Sequence, residues 1–541
     1  MEAWDTIVIG DGPAALRAAS AAAKAGATTL MMSADSLGSG NTIALDGIAA
    51  PLKESTINSH RNDTIKAGNF LCDQDIVSVR VSQAIRQVDL LERWGVIFRR
   101  DADGIPLVRR AAGHTLPRLA GAGDAMVRET QQVLEEQCMR HGVVRRGDQI
   151  PLDLIHTNQQ VNGIVCLDMT TGTINALQAK SVIIADGGFE GIWNGTSVGL
   201  GLDLAFRAGL PIRDMEFVGL SPLSVEGSNV VIPLGILADG ATIHYTNGTP
   251  LEVDDFADVN TLAESMGEEK VVLDARNIGA SKDWWAQTSE LLQTRLGINM
   301  DRQTIPISVK VGSTLGGIAT DEHSRAVSGK WSRWFTGLYA AGDSACSGLH
   351  GSGTIAGNRL LDALAGAFAA GEHAAEFSRK AKFSGRAALE AALGKAEADI
   401  DIDLSPAESG PVQRTGAIFA KLADIANSNL GFVRDKSGLE AAVEQLEKLE
   451  LDLENLHIDD NSRLYNSNLL EALRLKAGVR LAKAMAQSAL ARTESRGTHK
   501  RSDFAELDPE QLHHNLVDIQ GNISQLAIRK GSSGDWILSP E

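Results

Sequence analysis

The sequence predicts an α/β protein: a Rossmann-like nucleotide-binding domain with an inserted α+β capping domain and a C-terminal helical domain. Three observations predict it. The chain opens on a strand–turn–helix pattern with glycines in the turn. A Gly-rich strand-and-turn texture stops near residue 223 and returns at 312–317 and 337–358. From residue 373 onward apolar residues recur mostly at helical spacing. The expected division is therefore 1–222 and 306–372 for the two parts of the nucleotide-binding domain, 223–305 for the cap and 373–541 for the helical domain.

Taken in order, WDTIVIG at 4–10 reads as a short buried strand. The Ala-rich run ALRAASAAAKAGA reads as a helix, because Ala is the best helix former and its small side chain permits close packing. TTLMM follows as a second strand, which completes a βαβ opening. Residues 34–50 form a Gly/Ser-rich loop; 75–97 and 122–141 are helical; 151–188 are strands ending in SVIIADGG; 199–209 are a helix stopped by Gly209. The segment 223–305 carries short strand-like runs and an acidic stretch at 252–269.

The chain has 541 residues, enough for two to four domains. Its net charge of −18 argues against a nucleic-acid partner, which needs a basic face. Cys72, Cys138, Cys166 and Cys346 are scattered, with no Cys-x-x-Cys spacing, so no metal site of the chain's own is expected. No signal peptide and no apolar run long enough to span a membrane are visible, and the expected location is cytoplasmic.

Gly10-Asp11-Gly12-Pro13-Ala14-Ala15 fits G-x-G-x-x-G/A after a strand and at the head of a helix. Glycines there let the backbone approach a pyrophosphate, and the helix start offers free N–H groups to its charge. At the end of the second strand, where an acidic ribose partner is expected, Ser33 stands instead, with Asp35 two residues on. Either side chain can serve the ribose.

Several further strings carry a resemblance. SADSLGSGNTIALDGIAA at 33–50, GHTLPR at 113–118, IIADGG at 183–188, RAGLPIRDMEFVGLSP at 207–222, the run GLYAAGDSAC…HGSGTIAGNRLLDALAGAFAAG from Gly337 to Gly371, and SALARTESRGTHKRSDF at 488–504 resemble the succinate dehydrogenase/fumarate reductase flavoprotein family, which includes L-aspartate oxidase. The resemblance implies FAD as cofactor and a hydride transfer to or from a small organic acid. It implies cofactor contacts at Gly10, Gly12, Pro13, Ala14, Ala15, Ser33, Gly40, Asn41, Thr42, Gly47, Ala185, Gly187, Gly188, Gly342, Asp343, Asn358 and Leu360. Asp343 would accept hydrogen bonds from ribityl hydroxyls or, alternatively, cap a helix. Asn358 to Leu360 would open a helix whose positive end faces the flavin. Asp239 stands where the family has a cap acid, and a turn Asp is the equal alternative. The family also implies an iron–sulfur protein subunit as partner, with any membrane contact made through partners.

The family's substrate-binding residues do not carry over. Ser221, Gly312 and Thr354 stand where its two histidines and one of its arginines belong. Its cap arginine has no clear counterpart, Arg276 lying beyond the place. Asn41 replaces the histidine that carries covalent flavin, so the FAD is expected to be non-covalent. Arg359 and His350 are the remaining candidates for catalysis, Arg359 with an ordinary structural role as its alternative. His114, Arg118 and His499 read as cofactor-side or structural. Three functions follow: succinate or fumarate chemistry, the same flavin chemistry on a less anionic substrate, or a non-catalytic FAD-binding electron-transfer or assembly subunit.

Overall fold

The computed structural model describes residues 2–38, 45, 47–194, 198–252, 257–267, 269–328, 333–405 and 412–540. The largest sheet is built on five parallel strands. The first strand, Ala3–Ile9, lies between Thr29–Met32 and Thr173–Ile184; Val144–Arg146 extends one side and Arg333–Ala340 the other. The strands Gln149–Thr157, Gln160–Asp168 and Thr173–Ile184 form an antiparallel meander at the same sheet. Val8, Ile183 and Tyr339 are buried on one face and Ile7, Val182 and Leu338 on the other, as a sheet covered on both sides requires.

The Ala-rich helix spans Pro13–Lys24. Its small side chains do more than pack on the sheet: they admit the long helix Asn358–Lys380 at close range. A Cβ on Gly371 would lie 2.3 Å from the carbonyl oxygen of Ala18. The expected helices are found as Gln74–Trp94, Met126–Arg140 and Leu200–Arg207. Gly209 follows the last of these at a φ of +86°, a region that favours glycine.

The insert contributes a second sheet in the order Val218–Val225, Ile305–Thr314, Val271–Asp274, Thr242–Tyr245, all antiparallel. Its own core gathers Leu223, Ile232, Leu273, Trp285 and Ile305. The two outgoing strands cross both expected edges of the insert, so its stem is one antiparallel pair. Asp239 ties the insert down. It takes Arg99 at 3.0 Å, Arg109 at 2.8 Å and the indole N–H of Trp285 at 2.8 Å. It is thus an anchor between the insert and the nucleotide domain, more than a turn residue.

The C-terminal region holds the helices Arg386–Asp403, Thr415–Asn429, Lys436–Leu453 and Ser467–Ala491. It then departs from the helical expectation. His513–Val517 and Ile523–Ala527 form a hairpin that pairs with Ile212–Arg213. The alternation HHNLV and the turn DIQGN are strand signals that the surrounding helical texture hides. Between helix and hairpin lies a buried ionic knot: Arg492 meets Glu216 at 2.6 Å, Arg496 meets Glu494 at 2.6 Å and His514 meets Asp214 at 2.6 Å. His499 belongs to it, its Nδ1 lying 2.8 Å from Arg434 Nη1, and burial holds its imidazole neutral. Among the described residues no helix is long and apolar enough to cross a membrane.

Candidate functional site

At their carboxyl ends the parallel strands are laced together. Gly10 N donates to Met32 O at 2.8 Å, Ala185 N to Ile9 O at 2.9 Å and Ala341 N to Ile184 O at 3.0 Å. Three turns are therefore side by side at the edge where open parallel sheets place their ligands. Gly10 has a φ of +120°, and a Cβ there would lie 2.3 Å from Ala185 O. Only glycine fits this crossing. Gly12 caps the first helix with Pro13 in its opening turn, and a Cβ on Gly12 would meet nothing within 4 Å. That side of the turn faces open space.

The space is a cleft of about 1060 Å³. Its floor is Gly10, Gly12, Pro13 and Ala14, its far wall Ala185, Gly187, Gly342 and Leu360. Among the described residues seven ionisable side chains line it: Asp11, Asp35, Asp186, Glu190, Asp343, Arg359 and Arg474. Arg359 donates to Asp343 at 2.5 Å and Arg474 to Asp35 at 2.5 Å. Asp186 accepts from Gly201 N at 2.7 Å and so anchors the start of the helix Leu200–Arg207. Burial pushes the Asp186 carboxyl up to about 6. Burial, reinforced by the nearby Asp343 charge, pushes Glu190 up to about 7.

Residues 5–360 match the FAD binding domain family. The chain belongs to that family. Residues 419–530 match the fumarate reductase flavoprotein C-terminal family. The fumarate reductase flavoprotein subunit of Haemophilus influenzae is 28% identical, covering 95% of this chain and 91% of its own length. The mitochondrial succinate dehydrogenase flavoprotein subunit of Oryza sativa is 28% identical over 97% of this chain and 90% of its own. A structure of E. coli quinol fumarate reductase superposes with a TM-score of 0.90 at 26% identity, covering 98% of each chain. This flavoprotein is an FAD-dependent oxidoreductase that resembles the succinate dehydrogenase and fumarate reductase flavoprotein subunits.

The cleft fits FAD. The open side of Gly12 and the first amides of the helix Pro13–Lys24 suit a pyrophosphate. The raised Asp186 and Glu190 remove negative charge that would otherwise oppose it. The remaining residues expected at the cofactor are placed as follows. Ser33 lies in the lining, its hydroxyl accepting from Asp35 N at 3.2 Å. Ala15 and Gly188 stand behind the lining, Ala15 fully buried in the first helix. Gly47 packs on Ala120, whose oxygen would lie 2.6 Å from a Cβ. Gly40, Asn41 and Thr42 lie outside the described residues. Asn358 is buried at the start of its helix and turned away, bonding His60 at 2.7 Å and Thr64 at 2.9 Å.

The two residues expected in catalysis separate. Arg359 lines the cleft, whereas His350 lies outside the lining, with Nε2 3.6 Å from Asp362. Burial lowers the His350 imidazole and favours its neutral form. Arg276 is bound to Asp274 at 2.7 Å on the insert's surface. His114 bonds the carbonyl of Ala356 at 2.9 Å, and Arg118 pairs with Asp63 at 2.6 Å. At the stem of the insert Ser221 and Gly312 face one another: a Cβ on Gly312 would lie 2.0 Å from Ser221 Oγ. Between the insert and residues 111–112 a pocket of about 960 Å³ is lined by Ala111, Leu234, Leu237, Ile243 and Leu251 among others. Glu190, Asp186 and Arg474 were not expected at the cleft. The acid two residues past the GG turn is the one visible signal.

Proposed function

We propose that this flavoprotein transfers a hydride between FAD N5 and a small organic acid. The observation that supports the reading most is the cleft at the strand ends in a chain aligned over 95% of its length with a fumarate reductase flavoprotein subunit. Bound FAD supplies the two-electron chemistry. The chain's own residues do the rest. Gly10, Gly12 and Ala14 admit the pyrophosphate, and Asp343 accepts from the ribityl hydroxyls. The opening of the helix Asn358–Lys380 lends positive potential to the flavin end. Arg359 is the guanidinium offered towards a substrate carboxylate, and His350, steadied by Asp362, assists from behind it. The FAD is held non-covalently. The helical region docks an iron–sulfur protein subunit, and the complex works on the cytoplasmic side of a membrane that this chain does not itself enter.

Succinate oxidation with a dye acceptor and fumarate reduction with reduced viologen test the reading on FAD-loaded protein. Turnover with either acid is the expected result. A fully loaded protein that turns over neither, and whose flavin spectrum no organic acid perturbs, sinks it.

A second reading keeps the chemistry and changes the acid. It is favoured by the apolar pocket between the insert and residues 111–112. Such walls suit a larger, less anionic molecule than fumarate. Flavin spectral titrations with mono- and dicarboxylates separate the two readings.

A further inference from the structure

We propose that Glu190 is a proton-exchanging acid of the FAD cleft: it takes up one proton when the bound flavin takes up two electrons, and releases it on reoxidation. The inference rests on FAD occupying the cleft and not on the identity of the substrate.

Glu190 lines the cleft yet is only 6% exposed. Its Oε2 is buried and has no hydrogen-bond partner. A buried carboxylate with one oxygen left unpartnered is costly, and the group escapes that cost by holding a proton. Its surroundings press the same way. Asp343 from the turn Gly342–Ser344, Asp186 from the end of the strand Thr173–Ile184 and Asp11 from the first turn bring three more carboxyls into the cleft. Neither guanidinium of the lining bonds Glu190: Arg359 pairs with Asp343 and Arg474 with Asp35. Burial and the Asp343 charge, only partly offset by Glu190's own backbone N–H and by Arg359, place the carboxyl at about 7. It therefore titrates where small changes in local charge alter its proton load.

A second unpartnered oxygen lies close by. The position a Cβ would take on Gly188 is 2.7 Å from Glu190 Oε2 and 2.0 Å from Thr314 Oγ1. Both oxygens border the same gap, and both are buried without a partner. The Thr314 hydroxyl can donate and accept, and it sits at the end of the strand Ile305–Thr314 that carries the insert.

The balance is simple. Two electrons and one proton convert the flavin to its anionic reduced form. The added negative charge raises the affinity of Glu190 for a proton, and the carboxylate becomes a carboxylic acid with a proton from solvent. Between the two affinities, reduction therefore consumes two protons per two electrons instead of one.

The test is a redox titration of the FAD-loaded protein with mediators and dithionite, from about pH 6 to about pH 9, for wild type and Glu190→Gln. No organic acid is present. The wild-type midpoint is expected to fall about twice as steeply with pH as that of the variant within the window where Glu190 is linked. The reduced-minus-oxidised infrared spectrum should show a protonated-carboxyl band that shifts in deuterium oxide and is absent from the variant. Glu190→Gly repeats the comparison if the amide does not hold FAD. Equal slopes in wild type and variant overturn the proposal. Failure of the succinate and fumarate assays does not touch it, because the flavin alone is read.

Discussion

His60 and His114 stand under the start of the helix Asn358–Lys380, bonding Asn358 and the Ala356 carbonyl respectively. Burial holds His60 down to about 4 and, with Arg118 adding to it, His114 down to about 3, against an ordinary 6.5. The unfolded chain thus binds these protons at a higher pH than the folded one. Their contribution to stability is complete above about 6.5 and is lost as pH falls towards 4. Asp186 and Glu190, raised in the folded state, act in the opposite sense in an overlapping window, so a difference measurement is needed. The urea midpoints of wild type and His114→Gln should converge as pH falls, by up to about 1.4 kcal/mol per pH unit. Parallel pH profiles would show that His114 is not held neutral. At this scale the sequence was legible where the backbone leaves one choice. Gly10 must be glycine because a Cβ would collide with Ala185 O, and its motif shows it. Arg474 was not legible, since it reaches the cleft by pairing with a residue 439 positions earlier in the chain.

The pairing of the helices Pro13–Lys24 and Asn358–Lys380 shows what an Ala-rich pattern means in three dimensions. Composition announces a small-sided helix, but not its partner. Gly371 supplies the other half, and its contact with Ala18 O leaves no room for a methyl group. Gly371→Ala should destabilise the protein by about 1–3 kcal/mol and loosen FAD, because the first helix also carries the pyrophosphate turn. Chemical denaturation followed by flavin fluorescence measures both, and an unchanged midpoint would refute the close packing. The elements themselves were mostly legible from periodicity. The hairpin His513–Ala527 was not, because its strands are 5 residues each and lie at the end of a long helical region. Short alternating runs lose their signal when their sheet partner, here Ile212–Arg213, is distant in sequence.

For the whole molecule, the joint between the insert and the nucleotide domain matters most. One carboxylate, Asp239, gathers Arg99, Arg109 and Trp285. Removing its charge takes one shared counter-ion from two nearly buried guanidiniums, which costs on the order of a few kcal/mol. Asp239→Asn is expected to keep its flavin spectrum while limited proteolysis begins within 223–305. Loss of flavin at wild-type protease resistance would count against this division of labour. That Ser221, Gly312 and Thr354 stand in place of the family's catalytic residues is a reading of the sequence, because it needs only comparison with motifs. The apolar pocket was hidden, because it draws residues from 111 to 262 through folding alone.

The cleft also fixes an order of events. Its lining runs from Ile9 to Arg474, so the first strand and turn leave the ribosome long before the residue that pairs with Asp35 exists. At bacterial-like synthesis rates the interval is roughly half a minute to a minute and a half. During that time the sheet's carboxyl edge is open on one side, and the helix that packs against the first one arrives only after the insert has been made. Capture of the cofactor is therefore a late step in the life of each molecule, completed as the chain is finished.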